Sequence, residues 1–292
     1  MLESHPDMER RIRLLAIDID GTLLDTRFEV STANREAVVA AHRRGVEVIL
    51  VTGRRYASAR TIAAQLPVEL ALITSGGALV KDARGVTLHR HLMPAAKARA
   101  ALAEAGQWRR SALLLFDREG KGQVVTEDLD PAHEPVEGYF ARNRDYLEQV
   151  VPLEAALTED PLEVLFIGAL APMRELEQRL AQAPSAAGVS LGRTEYPQRD
   201  LSLIDVLDRG CNKGAALARY AALRGIAAEE IMAIGDNWND REMLEFAGLP
   251  VLMANSSAEL KRAGWAVTGS NDESGVAAAI ERYLLRDYIG GR

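Results

Sequence analysis

The sequence predicts an α/β chain: a parallel, doubly wound sheet interrupted by a separate α+β unit. Near both ends, short apolar runs of strand length alternate with helical stretches, the pattern of parallel strands joined by crossover helices. Several of these runs stop on carboxylates or small polar residues, and between residues 84 and 207 the alternation gives way to adjacent strand candidates. The sheet is therefore split in sequence.

The first run, Leu14-Leu15-Ala16-Ile17, ends on Asp18 and Asp20, followed by Gly21 and Thr22. In open parallel sheets the carboxyl ends of strands border the ligand crevice, so two acids there are placed for chemistry. Gly21, without a Cβ, lets the backbone turn sharply beside a ligand. Ser31 or Thr32 caps a helix to about Arg44, which Gly45 closes. Val46 to Val51 reads as a buried strand that stops at Thr52-Gly53-Arg54, a hydrogen-bonding set of phosphate size. A helix over Tyr56 to Leu66 and a third strand over Leu70 to Thr74 lead to Ser75-Gly76-Gly77.

From Val86 the pattern changes. Strand-like pieces at 111–116, 121–126, 162–167 and 201–206 alternate with helical stretches near 94–105, 138–149 and 172–183. The first two strands read as a hairpin across Asp117 to Gly120. The first pattern resumes at Lys213, which opens a helix ended by Gly225. Ile231 to Ile234 is a further strand, stopping at Gly235-Asp236-Asn237-Trp238-Asn239-Asp240. After a helix through Phe246, Leu249 to Met253 is strand-like, and Ser256-Ser257-Ala258-Glu259 reads as a capping box opening one more helix. Residues 1–83 and 208–292 thus form the core and 84–207 the insert.

A chain of 292 residues, 48% hydrophobic, suits two domains or one with a large insertion. With 35 basic against 42 acidic side chains, net charge -7 and no basic block, binding to nucleic acid through a charged surface is excluded. Any phosphate must be held by a local site. The single cysteine, Cys211, excludes an internal disulfide framework and fits a reducing cytoplasm. No apolar run approaches the roughly 20 residues that span a bilayer. Residues 1 to 12 lack the apolar stretch of an export signal, so a cytoplasmic protein with no membrane partner is expected.

Collected, the strand ends offer carboxylates at Asp18, Asp20, Asp236 and Asp240, hydroxyls at Thr22 and Thr52, the Asn239 amide and one cation, Lys213. Oxygen ligands of this kind select Mg²⁺, which binds through one or two carboxylates plus substrate phosphate. Without an ion, the acids would repel one another and the phosphate. Phosphate-monoester hydrolysis requires acceleration up to about 10²¹, whereas one general acid or base supplies roughly 10²- to 10⁴-fold. Charge neutralisation, donors from Thr52 and backbone N–H groups, and fixed in-line geometry must supply most of it. A carboxylate nucleophile divides the reaction into two easier displacements through an aspartyl phosphate. That reading makes Asp18 the nucleophile and Asp20 the acid and base.

DIDGTLLD, VTGR, NKGAAL and GDNWNDREML, in this order and with a large insert after the second, resemble the four motifs of the haloacid dehalogenase superfamily. The insert position and the closing stretch VLMANSSAELKRAGWAVTGSNDESGV resemble its Cof-like sugar-phosphatase subgroup. The resemblance implies a Rossmann-like core, a mobile cap that governs substrate selectivity, Mg²⁺ dependence and phosphatase activity on small phosphorylated metabolites. It would make Asp18 both nucleophile and metal ligand, Asp20 a ligand through its backbone carbonyl, Asp236 a third ligand and Asp240 a support. Thr52, Gly53 and Lys213 would hold the phosphoryl group, and Asn239 phosphate or substrate. An acid at Asp20 favours phosphate esters over halides, whose departure needs no proton. The family commonly has Asn-Gly-Ala where this chain has Gly76-Gly77-Ala78, and often Ala where it has Ser256.

Plainer readings stand beside these. Asn239 and Asp240 also serve as the cap and first-turn acid of the following helix. Arg54 reaches either substrate or a neighbouring carboxylate, and Trp238 faces either the cap or the core. His89 and His91 share a strand face, more simply a solvated edge than a metal pair. Cys211 reads as packing, and Arg142 to Asp145 as a wet helix face. Two rival functions remain: a phosphomutase with the same intermediate, and a non-catalytic phosphoacceptor module, against which the insert argues.

Overall fold

The computed structural model describes residues 11–129 and 133–286. The N-terminal stretch read for an export signal lies, through residue 10, outside them. The chain opens with β1 (Leu14–Asp18), α1 (Thr32–Arg43), β2 (Glu47–Val51), α2 (Tyr56–Ala63), β3 (Leu70–Thr74), β4 (Leu79–Lys81) and β5 (Thr87–Arg90). The second block runs α3 (Ala95–Ala105), β6 (Ala112–Leu115), β7 (Val124–Thr126), α4 (Glu134–Arg142), β8 (Leu147–Gln149), β9 (Glu163–Gly168), α5 (Leu170–Gln182), β10 (Val189–Tyr196) and β11 (Leu201–Asp208). It closes with α6 (Lys213–Arg224), β12 (Ile231–Gly235), α7 (Arg241–Phe246), β13 (Leu249–Leu252), β14 (Ala266–Val267) and α8 (Gly275–Ile280).

The large sheet has the order β14-β13-β12-β1-β2-β3-β4-β5, parallel from β14 to β3 and antiparallel beyond. β1 is buried along its whole length, which explains its unbroken apolar run: Leu15 and Ile17 pack on one face with α1 and α8, Leu14 and Ala16 on the other with α6 and α7. On either side of β1 lie β2, reached through α1, and β12, reached only after the insert. This reversal makes the carboxyl end of β1 a switch point, where open α/β sheets bind ligands.

The second sheet has the order β10-β11-β9-β6-β7-β8, antiparallel except at β7/β8. Helices α3 and α5 cover one face of it. The other face carries Leu165, Ile167, Leu201 and Leu203 and turns toward the core, where Leu207 meets the loop at Gly76. Arg55 ties the two units further, donating to Gln123 Oε1 at 2.8 Å and to Asn143.

Several expectations are corrected. The expected start of the insert at residue 84 precedes β5, which pairs with β4 in the large sheet, so the chain leaves that sheet only after Arg90; at the far end β11 runs on to Asp208. The helix expected over 138–149 ends at Arg142, and β8 follows it. Its charged run is not uniformly wet, because Asn143 is buried against Arg55. The capping box at Ser256 does not form: the Ser256 hydroxyl has no hydrogen-bond partner among the described residues, Ser257 Oγ accepts the Leu260 N–H at 3.2 Å, and only a four-residue 3₁₀ turn follows, ended by left-handed Gly264. The strand edge at His89 and His91, 6.4 Å apart, is not simply solvated, because His91 bonds Asp208 at 2.9 Å.

Candidate active site

The site forms where β13, β12, β1 and β2 end side by side. β1 delivers Asp18, and the turn after it is closed by Leu23 N–H to Asp18 O at 3.2 Å and Leu24 N–H to Ile19 O at 2.9 Å. Gly21 occupies this turn at φ +81°, a left-handed conformation, and a Cβ there would stand 2.4 Å from an Asp236 oxygen. Only glycine lets the two strand ends approach so closely.

Lys213, the first residue of α6, crosses from the opposite side. Asn212 caps that helix by accepting the Ala215 N–H at 2.7 Å, which fixes where Lys213 leaves the backbone. The Lys213 ammonium donates to Asp18 Oδ1 at 2.7 Å and Asp240 Oδ1 at 2.6 Å, with all three side chains buried. The second Asp240 oxygen accepts the backbone N–H groups of Asp236 and Asn237, each at 3.0 Å. Asp240 thus has every oxygen engaged.

Asp236 receives Thr22 Oγ1 at 3.0 Å, while Asn255 Nδ2 reaches Gly21 O at 2.8 Å and Asp236 Oδ2 at 3.4 Å. Oxygen atoms of Asp18, Asp236 and Asp240 lie within 4.8 Å of one another, the one metal-sized group among the described residues. Burial, and after it the charge of Asp240, pushes Asp18 up to about 7 against the pull of Lys213. Burial followed by the charges of Asp18 and Asp240 also holds Asp236 well above the usual carboxylate range. Burial works against the Lys213 charge, yet Asp18 and Asp240 more than offset it and raise its pKa. Three crowded acids against one lysine leave negative charge that a cation would neutralise. Their all-oxygen donor set fits Mg²⁺.

Asp20 stands apart from this cluster. Arg54 grips its carboxylate in a fork, Nε and Nη2 each 2.6 Å from an oxygen, so Arg54 reaches a neighbouring acid. Thr52, buried at the end of β2, accepts the Arg54 N–H at 3.1 Å and so shapes this loop. Gly53, Lys213, Trp238 and Asn239 border a cavity of about 310 Å³ whose far wall is the second sheet, including Gly192, Arg193 and Asp205. Asn239 Nδ2 donates to Thr194 Oγ1 at 3.1 Å, joining the strand-end loop to the second sheet. Tyr196, at the end of β10, also faces the acids: burial and then the charge of Asp20 raise its pKa.

The structure therefore brings Asp18, Lys213, Asp236 and Asp240 together, puts Gly53 and Asn239 on the rim of the cavity, and buries Thr52 at the end of β2, away from its lining. Asn255 was missed by the sequence reading. It lies beyond the end of β13, but with two residues between, whereas Asp236 follows β12 directly. Asp205 was also missed, though an acid in the apolar run LSLIDVL breaks the strand's own pattern.

A family model described as haloacid dehalogenase-like hydrolase matches residues 15–280. Phosphatase YwpJ of Bacillus subtilis is 28% identical over 94% of this chain and 100% of its own length. An HMP-PP phosphatase of Serratia proteamaculans is 31% identical, covering 95% of this chain and 97% of that protein. The solved structure of the phosphatase BT1666 from Bacteroides thetaiotaomicron aligns over 96% of this chain and 98% of its own, with a TM-score of 0.78 at 25% identity. With the strand-end acids and their lysine already in position, the match over nearly the whole chain means that it belongs to the haloacid dehalogenase-like hydrolase family, among that family's phosphatases.

Proposed function

We propose that the protein is a cytoplasmic, Mg²⁺-dependent phosphomonoesterase that hydrolyses a small phosphorylated metabolite through a phospho-Asp18 intermediate. The observation that carries this reading is Lys213 held between Asp18 and Asp240, 2.7 and 2.6 Å away, in a buried corner beside Asp236. Asp18, Asp236 and the backbone carbonyl of Asp20 would hold the ion, with Asp240 as buttress because its own oxygens are already committed. When bound, the ion supplies charge neutralisation at the phosphoryl oxygens.

In the first displacement an Asp18 oxygen attacks phosphorus, and the bond from phosphorus to the leaving alkoxide breaks. Asp20 gives that oxygen its proton. In the second, water attacks the phosphoryl group, Asp20 takes back a proton, and the Asp18 carboxylate is regenerated as inorganic phosphate leaves. Lys213 and the donors around Thr52, Gly53 and Asn239 hold the phosphoryl oxygens throughout. Both Asp20 oxygens face Arg54, so this role requires the fork to open when the ester arrives, which frees Arg54 for the substrate. The cavity of about 310 Å³ suits a small metabolite. Contacts such as Asn239 to Thr194 must part to admit it, a lid motion.

Trapping during turnover with Mg²⁺ is expected to yield a phosphoryl adduct on Asp18, found by mass spectrometry, with inorganic phosphate as product. Turnover without an adduct sinks the mechanism, and product isomerisation without phosphate release makes the chain a mutase. Asp20→Asn is expected to lower kcat by about 10²- to 10⁴-fold. A pure phosphoacceptor would lose little.

A further inference from the structure

The second sheet carries two acids that the reaction above does not use, Asp205 on the cavity wall and Glu163 behind it. Glu163 on β9 and Asp205 on β11 are 1% and 7% exposed. The strands are antiparallel neighbours with Asp205 opposite Leu165, so Glu163 is its diagonal neighbour on the same face. Such positions are roughly 7–8 Å apart, within reach of long side chains. Every other site on that face of the two strands is apolar: Leu165 and Ile167, Leu201, Leu203 and Leu207. Strand periodicity would fill positions 163 and 205 with aliphatic residues as well.

Neither acid forms a hydrogen bond or an ion pair among the described residues, although Arg55 and Lys213 lie near enough to favour their charged forms. Both Glu163 oxygens lack a hydrogen-bond partner. Ser75 lies near enough to lower the Glu163 pKa, but its hydroxyl does not reach hydrogen-bond geometry. Arg55, the nearby cation, donates to Gln123 and Asn143 and lies 4.5 Å over the Tyr146 ring. Lys213 is committed to Asp18 and Asp240. Burial accordingly holds Glu163 well above its usual range and pushes Asp205 up to about 7. An unpartnered buried polar group costs about 1–3 kcal/mol, more when charged, so two together require an explanation outside the fold's own stability.

Asp205 shares the cavity with Lys213, Asn212 and Gly53, so a molecule whose phosphate meets Lys213 extends toward Asp205 and the acid behind it. An ionised carboxylate only accepts hydrogen bonds. A neutral polyol would offer donors but leave ionisation of the buried pair as costly as before, whereas a protonated amine supplies donors and the counter-charge that ionisation needs. We propose that Glu163 and Asp205 read the leaving group, and that the preferred substrate is a phosphate monoester whose alcohol part carries a basic amino nitrogen. This rests on the phosphatase reading for the position of the phosphate.

The test uses binding, which does not depend on turnover. Asp18→Asn protein with Mg²⁺ is titrated calorimetrically with matched esters that differ in one group: phosphoethanolamine against ethylene glycol phosphate, pyridoxamine phosphate against pyridoxine phosphate, and glucosamine 6-phosphate against glucose 6-phosphate. In at least one pair the amino member is expected to bind about 10- to 100-fold more tightly, as for hydrogen bonds to charged groups. Adding Glu163→Gln or Asp205→Asn, separately, should bring that ratio close to one. Equal affinity in all pairs, tighter binding of the hydroxyl members, no binding of either, or a ratio that survives both variants overturns the proposal. Phosphate release from p-nitrophenyl phosphate by the wild-type enzyme is followed in parallel. Its absence would count against the phosphatase reading and leave the binding ratio to judge this inference.

Discussion

Two groups of buried acids, one at the strand ends around Lys213 and one on the second sheet, are built on opposite terms. At the strand ends Asp240 has both oxygens bonded, Asp18 has Lys213, and Asp236 has Thr22 and Asn255. On the second sheet Glu163 has no hydrogen bond. The first arrangement holds a geometry ready for chemistry that varies little between substrates. The second leaves its acceptors unsatisfied, and an unsatisfied group discriminates best between molecules that do and do not complete it. The fixed half therefore suits the phosphoryl group, common to every substrate, and the open half suits whatever distinguishes one substrate from another.

The comparison breaks most visibly at Lys213. Removing one partner of a buried ion pair costs about 3–5 kcal/mol, because the charge left behind has no water. Lys213→Met leaves two such acids, Asp18 and Asp240, and is expected to lose at least that much in denaturant unfolding, together with turnover. Wild-type stability in this variant would mean that the strand-end acids do not depend on their cation, and the contrast with the second sheet would fail.

Next in size is the response to Mg²⁺. Asp18, pushed up to about 7, and Asp236, well above its usual range, both bind protons more tightly in the fold than in the unfolded chain. Folded protein without metal therefore loses stability as pH rises from the ordinary Asp range near 4 to about 7, by a few kcal/mol at most. A metal ion held by these oxygens would compete with the proton. Added Mg²⁺ should thus raise Tm more at pH 8 than at pH 5. A rise that is larger at pH 5 reverses the predicted linkage.

Much of the strand-end half was legible in the sequence. A buried parallel strand is an unbroken apolar run, so the residue on which it stops is conspicuous, and Asp18, Thr52 and Asp236 all announce themselves in that way. Lys213 followed from its place at a helix start. Asn255 did not, because β13 is only four residues long and the chain continues two residues past it before the amide appears. The cap half was harder to read. Its β8 and β10 were missed: β8 has three residues, and β10 is partly exposed along its length, so neither has a clean apolar period. Nor does local sequence show that Asp20 pairs with Arg54, 34 positions away, because that contact depends on how β1 and β2 lie side by side.

The smallest expected effect gives the sharpest contrast, since one chemical change should act with opposite sign in the two halves. Asp240→Asn replaces an acceptor of three hydrogen bonds, one from Lys213 and two from backbone N–H groups. The amide has one oxygen for those donors and adds two donors of its own, so a loss of about 1–3 kcal/mol is expected. Glu163→Gln removes a charge with no hydrogen-bond partner and supplies an N–H₂ group beside Asp205. Because the Glu163 pKa is raised in the fold, the wild-type protein pays for that carboxyl only as pH climbs above its unfolded value of about 4.5. The variant should therefore differ little from wild type at pH 5 and be more stable by about 1–2 kcal/mol at pH 8. Denaturant unfolding of both variants at both pH values decides it. If Glu163→Gln destabilises at pH 8 as Asp240→Asn does, Glu163 has a partner in solution, and the second sheet's acids belong to the fold rather than to a substrate.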